Sequence, residues 1–160
     1  MEFNYLAILV AAVAPIILGF IWYNPKIFGN AWMREAEMTP DKMKNGNMPV
    51  IFILTLVFSF ILAFFLNQLT IHQMGAIQLV GGDPALAKPS FEAFMADYGT
   101  AYRTFKHGAL HGVLAGVFIA FPIIAINGMF ERKRWKYIFI NSGYWIVSLA
   151  IMSAIICGWV

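Results

Sequence analysis

Four long stretches of this chain contain no Asp, Glu, Lys or Arg, and each is long enough to cross a lipid bilayer as a helix. They run from about residue 4 to 23, 50 to 69, 107 to 130 and 137 to 160. Roughly 20 apolar residues in a helix span the hydrocarbon layer, whereas barrel strands are shorter and alternate in polarity. We therefore predict one all-α domain over residues 1–160, an integral membrane bundle of four transmembrane helices.

The composition excludes most soluble alternatives. Apolar residues make up 61% of the chain and charged residues only 12%, against about 25% charged in soluble domains. The net charge is +3, but the basic residues lie between the apolar stretches, which favours contact with the lipid bilayer and predicts no nucleic-acid partner. The lone Cys157 cannot form an intramolecular disulfide, and no motif indicates a particular cofactor.

The basic residues also predict an orientation. The connections at residues 24–49 and 131–136 share one side of the membrane and carry eight Lys and Arg, against three in residues 70–106. The positive-inside rule places the first two in the cytoplasm and both termini outside. We expect residues 70–106 to form an outer loop and a short amphipathic outer helix. Aromatic residues from Phe91 to Phe105 recur at helical spacing, which predicts a helix that leads into the third stretch.

Two histidines lie four residues apart near the start of the third stretch. Imidazoles at this spacing share one helix face and can bind a transition metal, so His107 and His111 form a candidate metal site, with Asp97 or Glu92 as a possible third ligand. Because the pKa of an ordinary imidazole is near neutrality, a titrating role is a second hypothesis. A structural role, with hydrogen bonds to the polar end of the second stretch, is the third.

A second group of polar residues is predicted at the opposite end of the bundle. Buried amides in lipid need hydrogen-bonding partners, so these side chains form either a site for a solute or a set of interhelical hydrogen bonds. Its members are Asn24, Asn127, Asn141, Tyr144 and Ser148.

Small residues recur every fourth position in the third stretch, at Gly108, Gly112 and Gly116. This spacing lets a second helix approach closely. The partner helix can belong to the same chain or to another, and we predict a homo-oligomer, most simply a dimer.

Five segments carry recognisable motifs of aromatic residues, glycine and asparagine: Trp22–Pro25, Phe28–Met33, Arg103–Gly112, Asn127–Glu131 and Asn141–Trp145. They resemble domain-of-unknown-function family 1761, and Arg103–Gly112 is similar to its Bacteroidetes-type members. The resemblance implies a small bacterial four-helix membrane protein without an assigned activity. We expect it in the bacterial cytoplasmic (inner) membrane.

The sequence leaves the function open. It predicts no catalytic residues and no ionisable group at the membrane centre, which favours a non-enzymatic protein. Our leading hypothesis is a membrane protein that binds or passes a small solute. The alternatives are an accessory subunit that packs against a larger membrane protein, and a metal-binding protein that uses His107 and His111.

Overall fold

The computed structural model describes residues 4–160, and helices account for most of this part of the chain. No strand occurs between residues 4 and 160. Four helices are long, and four short helices lie in the connections between them. The long helices are α1 (Tyr5–Trp22), α4 (Met48–Thr70), α7 (Phe105–Phe130) and α8 (Trp135–Gly158). The short helices are α2 (Asn30–Glu35), α3 (Pro40–Lys44), α5 (His72–Leu79) and α6 (Pro89–Tyr98).

The predicted fold class is confirmed. All four long helices are long and apolar enough to cross a membrane, and a short helix is present within residues 70–106 as α6. The name four-helix bundle is too simple, however, because the part of the chain that the structure describes holds eight helices. The short helices arise where polar residues and prolines interrupt the apolar runs.

Side-chain caps explain where three of the long helices begin. The side chains of Asn4, Asn47 and Thr104 accept hydrogen bonds from backbone N–H groups of the first turns of α1, α4 and α7. These N–H groups have no partner within their own helix, so a capping oxygen stabilises the start. Thr104 thereby fixes the first turn of α7, which carries the candidate histidines.

The most buried long helix is α8. In its most apolar 18-residue segment, 44% of the residues are buried within the protein, against 17% in the corresponding segment of α4. It packs along α7 and also contacts α1 and α4. Met152 and Ile156 of α8 lie in the core with Ile8 of α1 and Leu66 of α4. The outer faces of these helices are also apolar, as lipid contact requires.

The glycine stripe packs against α8 of the same chain. A Cβ atom placed on Gly112 would collide with the backbone of Leu149 and Ala150, and Gly108 and Gly116 are equally close to α8. The predicted close helix contact is therefore intramolecular. The stripe no longer supports the predicted homo-oligomer, which stays a prediction without this argument.

The connection at residues 70–106 is expected to be a loop and one short helix, but it contains two helices, α5 and α6. After the extended residue Ile71, α5 begins at once and continues to Leu79. The helix that was predicted to lead into the third stretch is wrong in its extent. It ends at Tyr98, and turns occupy the chain before Phe105, with Tyr102 in the left-handed region at φ 61°.

Candidate functional site

Three histidines meet at one end of the bundle. His72 is the first residue of α5, two residues after α4 ends at Thr70. His107 and His111 lie in the first two turns of α7, one helical turn apart. We call these three residues the histidine triad. The chain contains three histidines in all, so every one belongs to this cluster.

The geometry of the triad is compact. One ring nitrogen from each histidine lies within 4.8 Å of the other two, and Nε2 of His72 is 2.9 Å from Nε2 of His107. At that distance one nitrogen donates a proton and the other accepts it, so at least one ring offers a lone pair. In a tetrahedral zinc site, nitrogen ligands at 2.0–2.1 Å from the metal lie roughly 3.3 Å apart. The His72–His107 pair is slightly closer than this value, and the 4.8 Å limit on the other pairs is wider.

Neighbouring residues cap the first turn of α7 and contact two of the three rings. The Thr104 hydroxyl accepts a hydrogen bond of 3.1 Å from the backbone N–H of His107. The ring of Tyr102 lies 5.0 Å from that of His107 and 6.0 Å from that of His72, centroid to centroid. Tyr102 reaches this position from a left-handed backbone conformation that non-glycine residues seldom adopt.

The turn before α7 is fastened to the end of α8. The Arg103 Nε donates a 2.9 Å hydrogen bond to the carbonyl oxygen of Cys157. The Cys157 thiol is buried, with its Sγ 3.4 Å from the carbonyl oxygen of Tyr102. The sulfur is not part of the triad, which leaves three imidazoles as the ligand set.

The sequence analysis missed His72. Among the residues that the structure describes, only the three histidines form a group able to hold a metal ion, and neither Asp97 nor Glu92 takes part. A signal was available, since His72 closely follows the second apolar stretch and so lies at the same end of the bundle as His107. It was overlooked because a lone histidine in a predicted loop carries no spacing pattern.

The second predicted cluster forms only in part. The Tyr23 hydroxyl donates a 3.0 Å hydrogen bond to Oδ1 of Asn141, and its ring lies 5.2 Å from that of Tyr144. The Tyr144 hydroxyl donates to the carbonyl oxygen of Pro15 at 2.8 Å. These contacts join α1 to α8, as interhelical hydrogen bonds in membranes do.

The remaining members of that cluster lie apart. Asn24 is exposed, and its side chain accepts a hydrogen bond from the backbone N–H of Lys26. Asn127 is exposed on α7, and Ser148 is fully buried in α8. The structure therefore brings together Asn141 and Tyr144, through Tyr23, and leaves Asn24 and Asn127 outside that contact.

The fold and the triad define an all-helical membrane protein with three imidazoles clustered at one end. The chain belongs to the family described as "Protein of unknown function (DUF1761)", whose model matches residues 6–157. No curated protein and no solved structure gives a significant match.

Proposed function

We propose that this membrane protein binds a transition-metal ion through His72, His107 and His111. The observation that carries the proposal is the convergence of one ring nitrogen from each histidine within 4.8 Å. The ligands come from two different helices, so the fold itself creates the cluster. Of the hypotheses that the sequence left open, metal binding is the one for which the side chains provide a complete set of donor atoms.

The donor set favours particular metals. Imidazole nitrogen suits Zn²⁺, Cu²⁺, Ni²⁺ and Co²⁺, whereas Mg²⁺ and Ca²⁺ require oxygen ligands. Three protein ligands also leave at least one coordination position for water or another molecule. The site is therefore suited to an ion that stays accessible to a further ligand.

The proposal concerns binding and does not include passage across the membrane. A pore or carrier needs polar groups along most of its path. Between the triad and Asn141, the buried polar side chains of α8 are the serines Ser142, Ser148 and Ser153 and the Tyr144 hydroxyl, which already bonds to Pro15. The small-solute hypothesis is thus retained in a narrower form, with a metal ion as the solute.

We place the triad on the outer face of the bacterial cytoplasmic membrane. Trp22 donates a hydrogen bond to Ile140 near the basic connections, whereas Arg103 bonds to Cys157 at the opposite end of α8. The triad lies at this second end, away from residues 24–49 and 131–136, which carry most of the positive charge. Both termini are then also outside, and the ion comes from the extracytoplasmic side.

Cysteine labelling tests this orientation. In intact cells, a membrane-impermeant maleimide is expected to label Ala85→Cys, whose position is exposed in the connection between α5 and α6. Lys44→Cys, exposed at the end of α3, is expected to react only after the cells are permeabilised. The unmodified protein is the control and should stay unlabelled, since Cys157 is 1% exposed. The reverse pattern would place the triad in the cytoplasm.

Metal content tests the proposed function. We expect protein purified without a polyhistidine tag, stripped with a chelator and reloaded with Zn²⁺, to retain about one metal ion per chain after gel filtration, because three imidazoles form one site. Elemental analysis measures the ratio. The triple variant His72→Ala/His107→Ala/His111→Ala is the control and should retain none. A ratio near zero in the unmodified protein, or equal retention by the triple variant, would rule out the triad as a metal site.

A further inference from the structure

A cavity of about 210 Å³ adjoins the histidine triad, between α5, α6 and the turn that follows α6. His72 forms part of its wall, so one imidazole belongs both to the triad and to the cavity. A single water needs far less room, and the space is sufficient for a small organic molecule next to a bound metal. The residues around the cavity are His72, Gln73, Phe94, Tyr98, Ala101 and Tyr102.

Gln73 is the most buried polar residue around this cavity, with 3% of its surface exposed. Its Nε2 donates to the carbonyl oxygens of Tyr98 and Ala101, at 2.7 and 2.9 Å. These two bonds attach the end of α6 and the following turn to α5. They use the donor side of the amide, while Oε1 is buried without a hydrogen-bond partner. Because this oxygen is closed off from solvent, Gln73 connects α5 to the end of α6 and offers no contact to a molecule in the cavity.

Aromatic rings supply most of the remaining wall. Phe94 and Tyr98 lie one turn apart on α6, with ring centroids 5.2 Å apart. Tyr102 adds a third ring from its left-handed backbone conformation, and such strained residues concentrate at functional sites. None of the six described residues that line the cavity is acidic, Lys or Arg. The cavity is therefore suited to a flat, uncharged molecule.

We propose that this cavity binds a small neutral nitrogen heterocycle that completes the coordination of the metal, an inference that rests on the proposed metal site. A ring nitrogen with a lone pair occupies the coordination position that three histidines leave open. The face of the ring packs against Phe94, Tyr98 and Tyr102. An ammonium ion is disfavoured because it would be repelled by the adjacent metal charge.

Cobalt spectroscopy with imidazole as the probe tests this inference. Co²⁺ bound to the triad gives visible absorption that changes when a new ligand enters the coordination sphere. We expect a saturable change on titration of the Co²⁺-loaded protein with imidazole, without loss of metal. In Ala101→Leu, whose larger side chain fills the cavity, imidazole affinity is expected to fall at least about tenfold, with the initial cobalt spectrum unchanged. Ala85→Leu, the same substitution away from the cavity, should behave like the unmodified protein.

A second variant completes the test. Should Ala101→Leu fail to fold, Phe94→Ala removes an aromatic wall at a half-exposed position and is also expected to weaken imidazole binding. Equal imidazole affinity in the unmodified and cavity variants overturns the inference. Co²⁺ binding without any response to imidazole overturns it and leaves the proposed function intact, whereas failure to bind Co²⁺ overturns both.

Discussion

Replacing His72 by alanine is expected to lower the affinity of the protein for Zn²⁺ by about 100-fold or more. Loss of a hydrogen-bonding partner behind a metal ligand typically costs 10–100-fold, and loss of a ligand itself should cost at least as much. Competition with a chromophoric chelator in detergent solution measures the affinity. His107→Ala and His111→Ala are expected to have effects of similar size, because all three nitrogens are mutually within 4.8 Å.

A matched control separates metal coordination from a general disturbance of α5. Leu79→Ala changes a residue of the same helix that is 89% exposed, and should leave the affinity within a few fold of the unmodified protein. His72→Cys restores a possible ligand, since a thiolate also binds Zn²⁺, and is expected to recover part of the loss. If His72→Ala binds Zn²⁺ as tightly as the unmodified protein, His72 is not a ligand.

The transmembrane helices could be predicted from the sequence because hydrophobicity is a local property. A run of about 20 residues without charge must be helical in lipid, whatever its neighbours do. The predicted stretches lie within about two residues of the observed helices, for example 107–130 against Phe105–Phe130. The difference there arises because Thr104 caps the helix before the uncharged run begins.

The triad could not be fully predicted because its third member depends on tertiary structure. The pair His107 and His111 follows from helical periodicity. His72 joins them only because the extended residue Ile71 ends α4 and α5 then lies at the same end of the bundle as the start of α7. The helix that packs on the glycine stripe could not be predicted for the same reason. A glycine such as Gly112 allows another helix to approach closely, but only the tertiary structure shows that this helix is α8.

Replacing Gly112 by alanine is expected to destabilise the fold by about 2–3 kcal/mol, the cost of forcing an extra group into a packed core. The added Cβ would lie 2.5 Å from the carbonyl carbon of Leu149 and 2.6 Å from Cα of Ala150. Both atoms belong to the backbone, so no side chain can rotate away and α7 must separate from α8. We expect the melting temperature in mild detergent to fall by about 5–10 °C, measured by thermal unfolding monitored with circular dichroism.

Gly75→Ala provides the matched control for this prediction, because it is expected to change the stability in the opposite direction. Gly75 is exposed in α5, and a Cβ there meets nothing within 4 Å. The same substitution should raise stability by up to about 1 kcal/mol, since alanine favours helix more than glycine does.

If Gly112 instead faced a second copy of the chain, Gly112→Ala would convert an oligomer to a monomer without lowering the melting temperature of the monomer. Mass measurement alongside the melting curve distinguishes these outcomes, and only a lower melting temperature at unchanged mass agrees with packing of α7 against α8 within one chain.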